Sequence, residues 1–183
     1  EDVERMRKQE AFDTIYTALR SFPLFEGLSD DQIASVSTTS SLLRFSSDES
    51  LVVQGETGDS MFLVRSGNLR VEVAPADDPG AVSVVAKLGP GDFFGEMSLL
   101  TGEPRSASVV AEGDVEVLRL TKDDFASVLS TDASVVETLS AALEKRLAEN
   151  AKKTVSKSDG VKLDPHRTTR ADILSRIRGF FGI

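Results

Sequence analysis

One stretch of the chain, residues 91–109, brings an acid, an arginine and several glycines close together. Its residue types predict a strand that ends at Gly95, one helical turn over residues 96–100 and a new strand from about Arg105. The start of a helix exposes unpaired N–H groups and the positive end of the helix dipole, and both favour an anion. Arg105 could donate two parallel hydrogen bonds to a phosphate, while Glu96 could accept one from a sugar hydroxyl. The stretch therefore predicts a site for a phosphorylated sugar.

A purely structural explanation of the same residues stays open at this point. Glu96 and Arg105 could form an ordinary ion pair, and Gly95 could be a β-bulge. For either charged residue taken alone, that explanation would be preferred.

Two strings in this stretch give the chain a family resemblance. Residues 94–100 (FGEMSLL) and 104–109 (PRSASV) resemble the phosphate-binding cassette of cyclic-nucleotide-binding domains. Turn glycines fall where that family places them, at Gly55, Gly58, Gly67, Gly89 and Gly91. The resemblance extends over residues 22–152 and is strongest to the C-terminal cytoplasmic domains of bacterial cyclic-nucleotide-gated channels.

The resemblance implies roles for individual residues. Glu96 would hold the ribose 2′-hydroxyl and Arg105 the cyclic phosphate. Backbone groups and the Ser106 hydroxyl would complete the phosphate site. The implied ligand-binding set is Phe94, Gly95, Glu96, Met97, Ser98, Arg105, Ser106 and Ala107.

A helix over residues 134–152 is expected to act as a lid over the purine. The candidate base contacts on it are Leu143, Arg146, Leu147 and Asn150, although helical spacing does not choose among them. Its leucines could equally pack in the core. Serine at position 106 lies between the threonine of cGMP-selective members and the alanine of cAMP-selective kinase subunits. The Glu-Pro-Arg-Ser-Ala form favours cAMP, with cGMP as the alternative ligand.

The secondary-structure elements that must position this site are predicted to occur as helices, then strands, then helices. Apolar residues at helical spacing predict a helix over residues 1–20, and Ser29 with Gln32 forms a capping box for a helix over 30–38. Eight short apolar runs between turn residues follow from residue 41, and a helix over 122–130 comes next. We therefore expect an α+β fold: an eight-stranded antiparallel β-roll (jelly-roll-like) with N-terminal helices, a short phosphate-binding helix and a C-terminal lid helix.

The predicted domains are an N-terminal linker helix (1–26), the nucleotide-binding domain (27–152) and a basic linker with an amphipathic tail (153–183). Residues 1–150 hold 13 Lys and Arg against 27 Asp and Glu, whereas residues 151–183 hold 8 against 3. An acidic body argues against nucleic acid as a partner. The basic tail could contact anionic lipid or an acidic neighbour, or remain solvated.

Composition also limits the kinds of functional site that we expect. There is no cysteine and a single histidine, so disulfides are excluded and a metal site or a histidine-based triad is not expected. We expect a binding and switching domain rather than an enzyme.

The expected output is the gating of a bacterial membrane ion channel. In that interpretation a membrane domain precedes Glu1, the full-length protein is a homo-oligomer, and this chain lies at the cytoplasmic face of the inner membrane. The tail, residues 173–183, resembles the ends of bacterial mechanosensitive-type channels. Two alternatives remain: the regulatory domain of a non-channel effector, and a scaffold that assembles subunits without nucleotide.

Overall fold

The computed structural model describes residues 1–131, 134–138, 140–142, 144, 145, 148, 175, 178 and 179. Within residues 1–131, the helices are α1 (Asp2–Ser21), α2 (Asp30–Thr39), α3 (Glu96–Thr101) and α4 (Lys122–Thr131), with a 3-10 turn at Pro23–Phe25. The strands are β1 (Ser41–Phe45), β2 (Ser50–Val52), β3 (Ser60–Val73), β4 (Ser83–Leu88), β5 (Phe93–Phe94) and β6 (Ser108–Thr121). No helix of this described part is long and apolar enough to cross a membrane.

All strand pairs are antiparallel, in the order β1-β6-β3-β4, with β2 added to β6 and β5 added to β3. The expected antiparallel β-roll with flanking helices is confirmed. The expected number of strands was wrong, because the described residues form six strands instead of eight.

Two glycines explain the difference in strand number. Gly67 and Gly113 lie in segments that the sequence marks as turns, and both have a positive φ, of 87° and 88°. Asn68 nevertheless pairs with Glu112, and register shifts occur between Val64 and Asn68. The glycines therefore bend β3 and β6 without ending them, so each pair of predicted short strands is one long strand.

The two long strands supply two hydrophobic cores, because successive side chains of a strand point to opposite faces. One face of β3 and β6 packs against the helices through Met61, Leu63, Leu118 and Leu120. The opposite face contributes Phe62, Val64, Val115 and Val117 to a core built only from strand residues. Phe94, one of the predicted ligand-binding residues, is part of this second core.

The N-terminal helices belong to the first core. Ile15 and Leu19 of α1 are buried there with Ile33 of α2. The predicted capping box is confirmed: the Gln32 amide donates to Ser29 Oγ, and the Ser29 amide donates to Gln32 Oε1. The boundary at residue 26 between linker and domain stays a prediction.

The predicted lid begins as a helix. The described positions among residues 134–148 are helical, and Val135 and Val136 are buried in the first core. The candidate base contacts Leu143, Arg146, Leu147 and Asn150 lie outside the described residues. Most of the predicted basic linker and amphipathic tail (153–183) also lies outside them, although Arg178 Nη2 lies 3.7 Å from Glu137 Oε1.

Candidate anion-binding site

Arg105 lies in an irregular segment between α3 and β6. The sequence predicts that a strand begins near Arg105, but β6 begins at Ser108. The reason is that the backbone of Arg105 pairs with a turn: Gly55 N–H donates to its carbonyl at 2.8 Å, and its own N–H donates to the carbonyl of Glu56 at 2.8 Å. Two backbone hydrogen bonds therefore fix the base of this side chain.

The guanidinium group of Arg105 is turned into the protein, where the residue is only 7% exposed. Nη1 donates to the carbonyl oxygens of Ser60 at 2.8 Å and Gly95 at 3.3 Å, and Nη2 donates to Ser60 Oγ at 3.2 Å. The carbon Cζ lies 6.0 Å from the centre of the Phe62 ring. None of these three acceptors carries a formal charge, so they orient the cation without neutralising it.

Burial is the main cause that lowers the pKa of Arg105 below its ordinary value. The negative charge of Asp59 opposes this shift, the positive charge of Arg119 adds to it, and the charge of Glu96 opposes it. A buried cation with two carboxylates acting only at a distance favours an additional negative charge at close range. The electrostatics therefore match an anion-binding site.

Gly95 connects this cation to the short helix. It is the N-cap of α3, with φ 83° in the left-handed region, so it opens a helix and is not a bulge. Its carbonyl accepts both from Arg105 Nη1 and from the amide of Leu99, at 3.1 Å. The guanidinium of Arg105 therefore lies at the start of this helical turn.

The other predicted ligand-binding residues surround this point to different degrees. Ser98 and Phe94 are buried, whereas Glu96, Met97 and Ala107 are partly buried and Ser106 is exposed. The ring of Phe94 stacks on that of Phe62, with centroids 5.1 Å apart and planes 15° from parallel. The side-chain hydrogen bonds of Arg105 go to Ser60 and Gly95, while Glu96 acts on Arg105 through its charge.

Sequence reasoning missed three residues that lie next to the guanidinium group of Arg105, namely Gly58, Ser60 and Phe62. Gly58 was recognised only as a turn glycine. Ser60 and Phe62 share a strand face, because side chains two positions apart in β3 point the same way. That alternation is visible in the sequence, but nothing in it shows that this face meets a segment 45 positions later in the chain.

One cavity in the described part of the chain lies apart from this site. A surface cavity of about 530 Å³ is lined by residues of α1, the following turn and β3, together with Gly91. It shares no residue with the site around Arg105. No group of three or more His, Cys, Asp or Glu side chains that could hold a metal ion occurs within the described part of the chain.

Comparison with known proteins gives consistent matches. Residues 42–132 match the family described as cyclic nucleotide-binding domain. A cyclic AMP receptor protein of Thermus thermophilus is 34% identical over 131 residues, which are 72% of this chain and 60% of that protein. A cyclic nucleotide-gated potassium channel of Rhizobium etli is 44% identical over 94 residues, 51% of this chain and 24% of the channel.

A solved structure shares the fold. The regulatory domain of Toxoplasma gondii PKA, crystallised with cAMP, superposes with a TM-score of 0.64 at 25% identity, covering 77% of this chain and 51% of that one. This chain spans at most 60% of the length of the two curated relatives above.

Proposed function

The chain belongs to the cyclic nucleotide-binding domain family through residues 42–132, and we propose that it binds cAMP and thereby regulates an attached effector. The observation that carries the proposal is the environment of Arg105. Its guanidinium is buried, is held by uncharged oxygen atoms and lies at the start of α3.

In this proposal the cyclic phosphate binds at Arg105, and Glu96 accepts a hydrogen bond from the ribose 2′-hydroxyl. Backbone groups of Gly95, Met97, Ser98 and Ala107 and the hydroxyl of Ser106 complete the phosphate site. A charged hydrogen bond to a phosphate is stronger than a neutral one, and the partly desolvated position of Arg105 strengthens it further. In this proposal the chain binds the nucleotide and changes conformation in response.

Switching requires that the nucleotide bind better to one of two conformations. We propose that the helix that contains residues 134–138 is the moving element. It is anchored in the first core through Val135 and Val136, so a shift of its later turns toward a bound purine would act against the N-terminal helices. Movement there would bias whatever is attached to the domain.

We propose an ion channel as the effector, supported by the match to the Rhizobium etli channel. Ion flux from liposomes that contain the full gene product, measured with and without cAMP, tests this. Flux that does not depend on cAMP, in a protein that does bind cAMP, would direct attention to a non-channel effector.

The binding proposal is tested by calorimetric titration of the chain with cAMP and cGMP in parallel, after unfolding and refolding to remove copurified nucleotide. Saturable binding is expected, tighter for cAMP. Arg105→Ala should weaken it about 10- to 100-fold, the range for loss of a charged hydrogen bond. The absence of heat with both nucleotides would favour the scaffold alternative.

Arg119→Ala is the matched control for that variant. It removes an equal charge that also acts on Arg105, but it leaves every hydrogen bond of Arg105 in place. If both variants lost affinity equally, the long-range field of the site would matter and direct contact by Arg105 would not.

A further inference from the structure

The guanidinium of Arg105 rests directly against the backbone of Gly58. A Cβ atom added to Gly58 would lie 2.4 Å from Nη2, 2.6 Å from Nε and 2.7 Å from Cζ of Arg105. All three distances are shorter than real Cβ contacts, so no side chain fits between Gly58 and the guanidinium in its present position.

The backbone of Gly58 does not itself require glycine. Its φ lies outside the left-handed region, unlike that of Gly95, whose φ is 83°. A Cβ at Gly95 would also approach the carbonyl oxygen of Ser60, at 2.9 Å. Substitution of Gly95 would therefore mix backbone strain with crowding, whereas the three atoms nearest to a Cβ at Gly58 all belong to Arg105.

Ser60 fixes the same guanidinium from another direction. It is 4% exposed, and it offers two acceptors to two different nitrogen atoms: its carbonyl to Nη1 and its hydroxyl to Nη2. Two hydrogen bonds to separate nitrogens define both the position and the rotation of a planar group.

We propose that Gly58 and Ser60 are positioning residues that hold Arg105 ready for the phosphate before the nucleotide arrives. The inference rests on the proposed function, in which Arg105 receives that phosphate. A long arginine side chain that is already ordered loses little conformational entropy on binding, and such preorganisation raises affinity. Gly58 supplies the space and Ser60 supplies the orientation.

The central test is Gly58→Ala. The atoms in its way belong to the end of a flexible side chain, so we expect the domain to stay folded while the guanidinium is displaced from Ser60. Affinity for cAMP should fall about 10- to 100-fold, the range for loss of a charged hydrogen bond. Ser60→Ala removes only the hydroxyl acceptor and keeps the carbonyl, so a smaller, severalfold loss is expected.

Gly80→Ala is the matched control, because its φ is also outside the left-handed region and its added Cβ would meet only Asp78 Oδ1, at an ordinary 3.6 Å.

A double-mutant cycle then separates positioning from a general effect on structure. In an Arg105→Lys background, which lacks the guanidinium, Gly58→Ala should cost much less affinity than in the wild type. An equal loss in both backgrounds would overturn the proposal.

A second readout does not depend on affinity. The Nε–H signal of Arg105 in the NMR spectrum of the nucleotide-free protein, assigned by its loss in Arg105→Ala, should be protected from solvent exchange in the wild type and exposed in Gly58→Ala. If the wild type fails to bind cAMP, the proposed function fails. If the wild type binds cAMP and Gly58→Ala keeps both its affinity and its protected Nε–H signal, only the positioning inference fails.

Discussion

At the residue scale, one arginine organises the site, and its neighbours were only partly visible in the sequence. Glycine, glutamate and arginine types at 95, 96 and 105 predicted an anion site, and Arg105 does meet Gly95. The contacts from Ser60 and Gly58 depend on how the start of β3 and the residues just before it pack against Arg105. Such long-range packing is set by the fold and not by local pattern.

Ser106 gives a residue-scale prediction about base choice. It is exposed, so its hydroxyl is accessible to a ligand at the site. Ser106→Ala should weaken cGMP binding more than cAMP binding, because guanine offers an exocyclic amine that a hydroxyl can accept from. Parallel calorimetric titrations measure both losses, and equal losses would remove Ser106 from base choice.

At the element scale, the two long strands decide the architecture. The sequence located the apolar runs and the turn-forming residues, yet Gly67 and Gly113 bend strands that continue past them. Glycine is favoured for its positive φ both in turns and in bulges, so only the pairing of the neighbouring residues with another strand distinguishes the two. Helix starts were better predicted because a cap such as Ser29 is satisfied within its own turn.

Gly67 can be tested through stability. Its φ is 87°, and an added Cβ would lie 2.3 Å from the carbonyl oxygen of Asp114. Because this oxygen belongs to the backbone, it cannot move aside as the end of a flexible side chain could. Gly67→Ala should therefore lower the free energy of unfolding by about 1–3 kcal/mol, measured by urea denaturation. Gly89→Ala is the control, since its φ is ordinary and its nearest contact, Asn68 Oδ1, is 3.5 Å away. Similar losses in both variants would contradict the bulge explanation.

Three strands are also joined by charge at Glu116 of β6. Its Oε2 accepts from Arg44 Nε of β1 at 2.9 Å, and its Oε1 pairs with Arg65 of β3. Burial alone would raise the pKa of Glu116, but the hydrogen bonds and charges of Arg44 and Arg65 lower the pKa below its ordinary value.

A carboxylate with a lowered pKa stabilises the fold above its unfolded pKa, and the contribution disappears as the pH falls through the folded value. Glu116→Gln should therefore cost up to about 1 kcal/mol at pH 7, a modest amount because both arginines are substantially exposed. The difference from wild type should shrink as the pH falls below about 4. Urea denaturation across this pH range checks it, and a difference that stays constant with pH would argue against the ion pairs as its source.

At the scale of the whole molecule, the two cores connect the site to the N-terminal helices. The strand-only core holds Phe62 and Phe94 beside Arg105, and the opposite faces of β3 and β6 pack on α1, α2 and α4. If a nucleotide binds at Arg105 as we propose, it therefore acts on strands shared by both cores. Stabilisation should be felt by the entire domain and not only at the site.

We therefore expect a single cooperative thermal transition that cAMP moves to a higher temperature. A ligand at about 100 times its Kd adds about 2.7 kcal/mol to a fold that binds it only when native. For a chain of this length, that corresponds to about 5–10 °C in Tm. Scanning calorimetry measures the shift, and Arg105→Ala should show a much smaller one at the same cAMP concentration. A scaffold that works without nucleotide would behave differently. Its native state would bind other subunits and not cAMP, so its Tm would rise with protein concentration and would not change when cAMP is added.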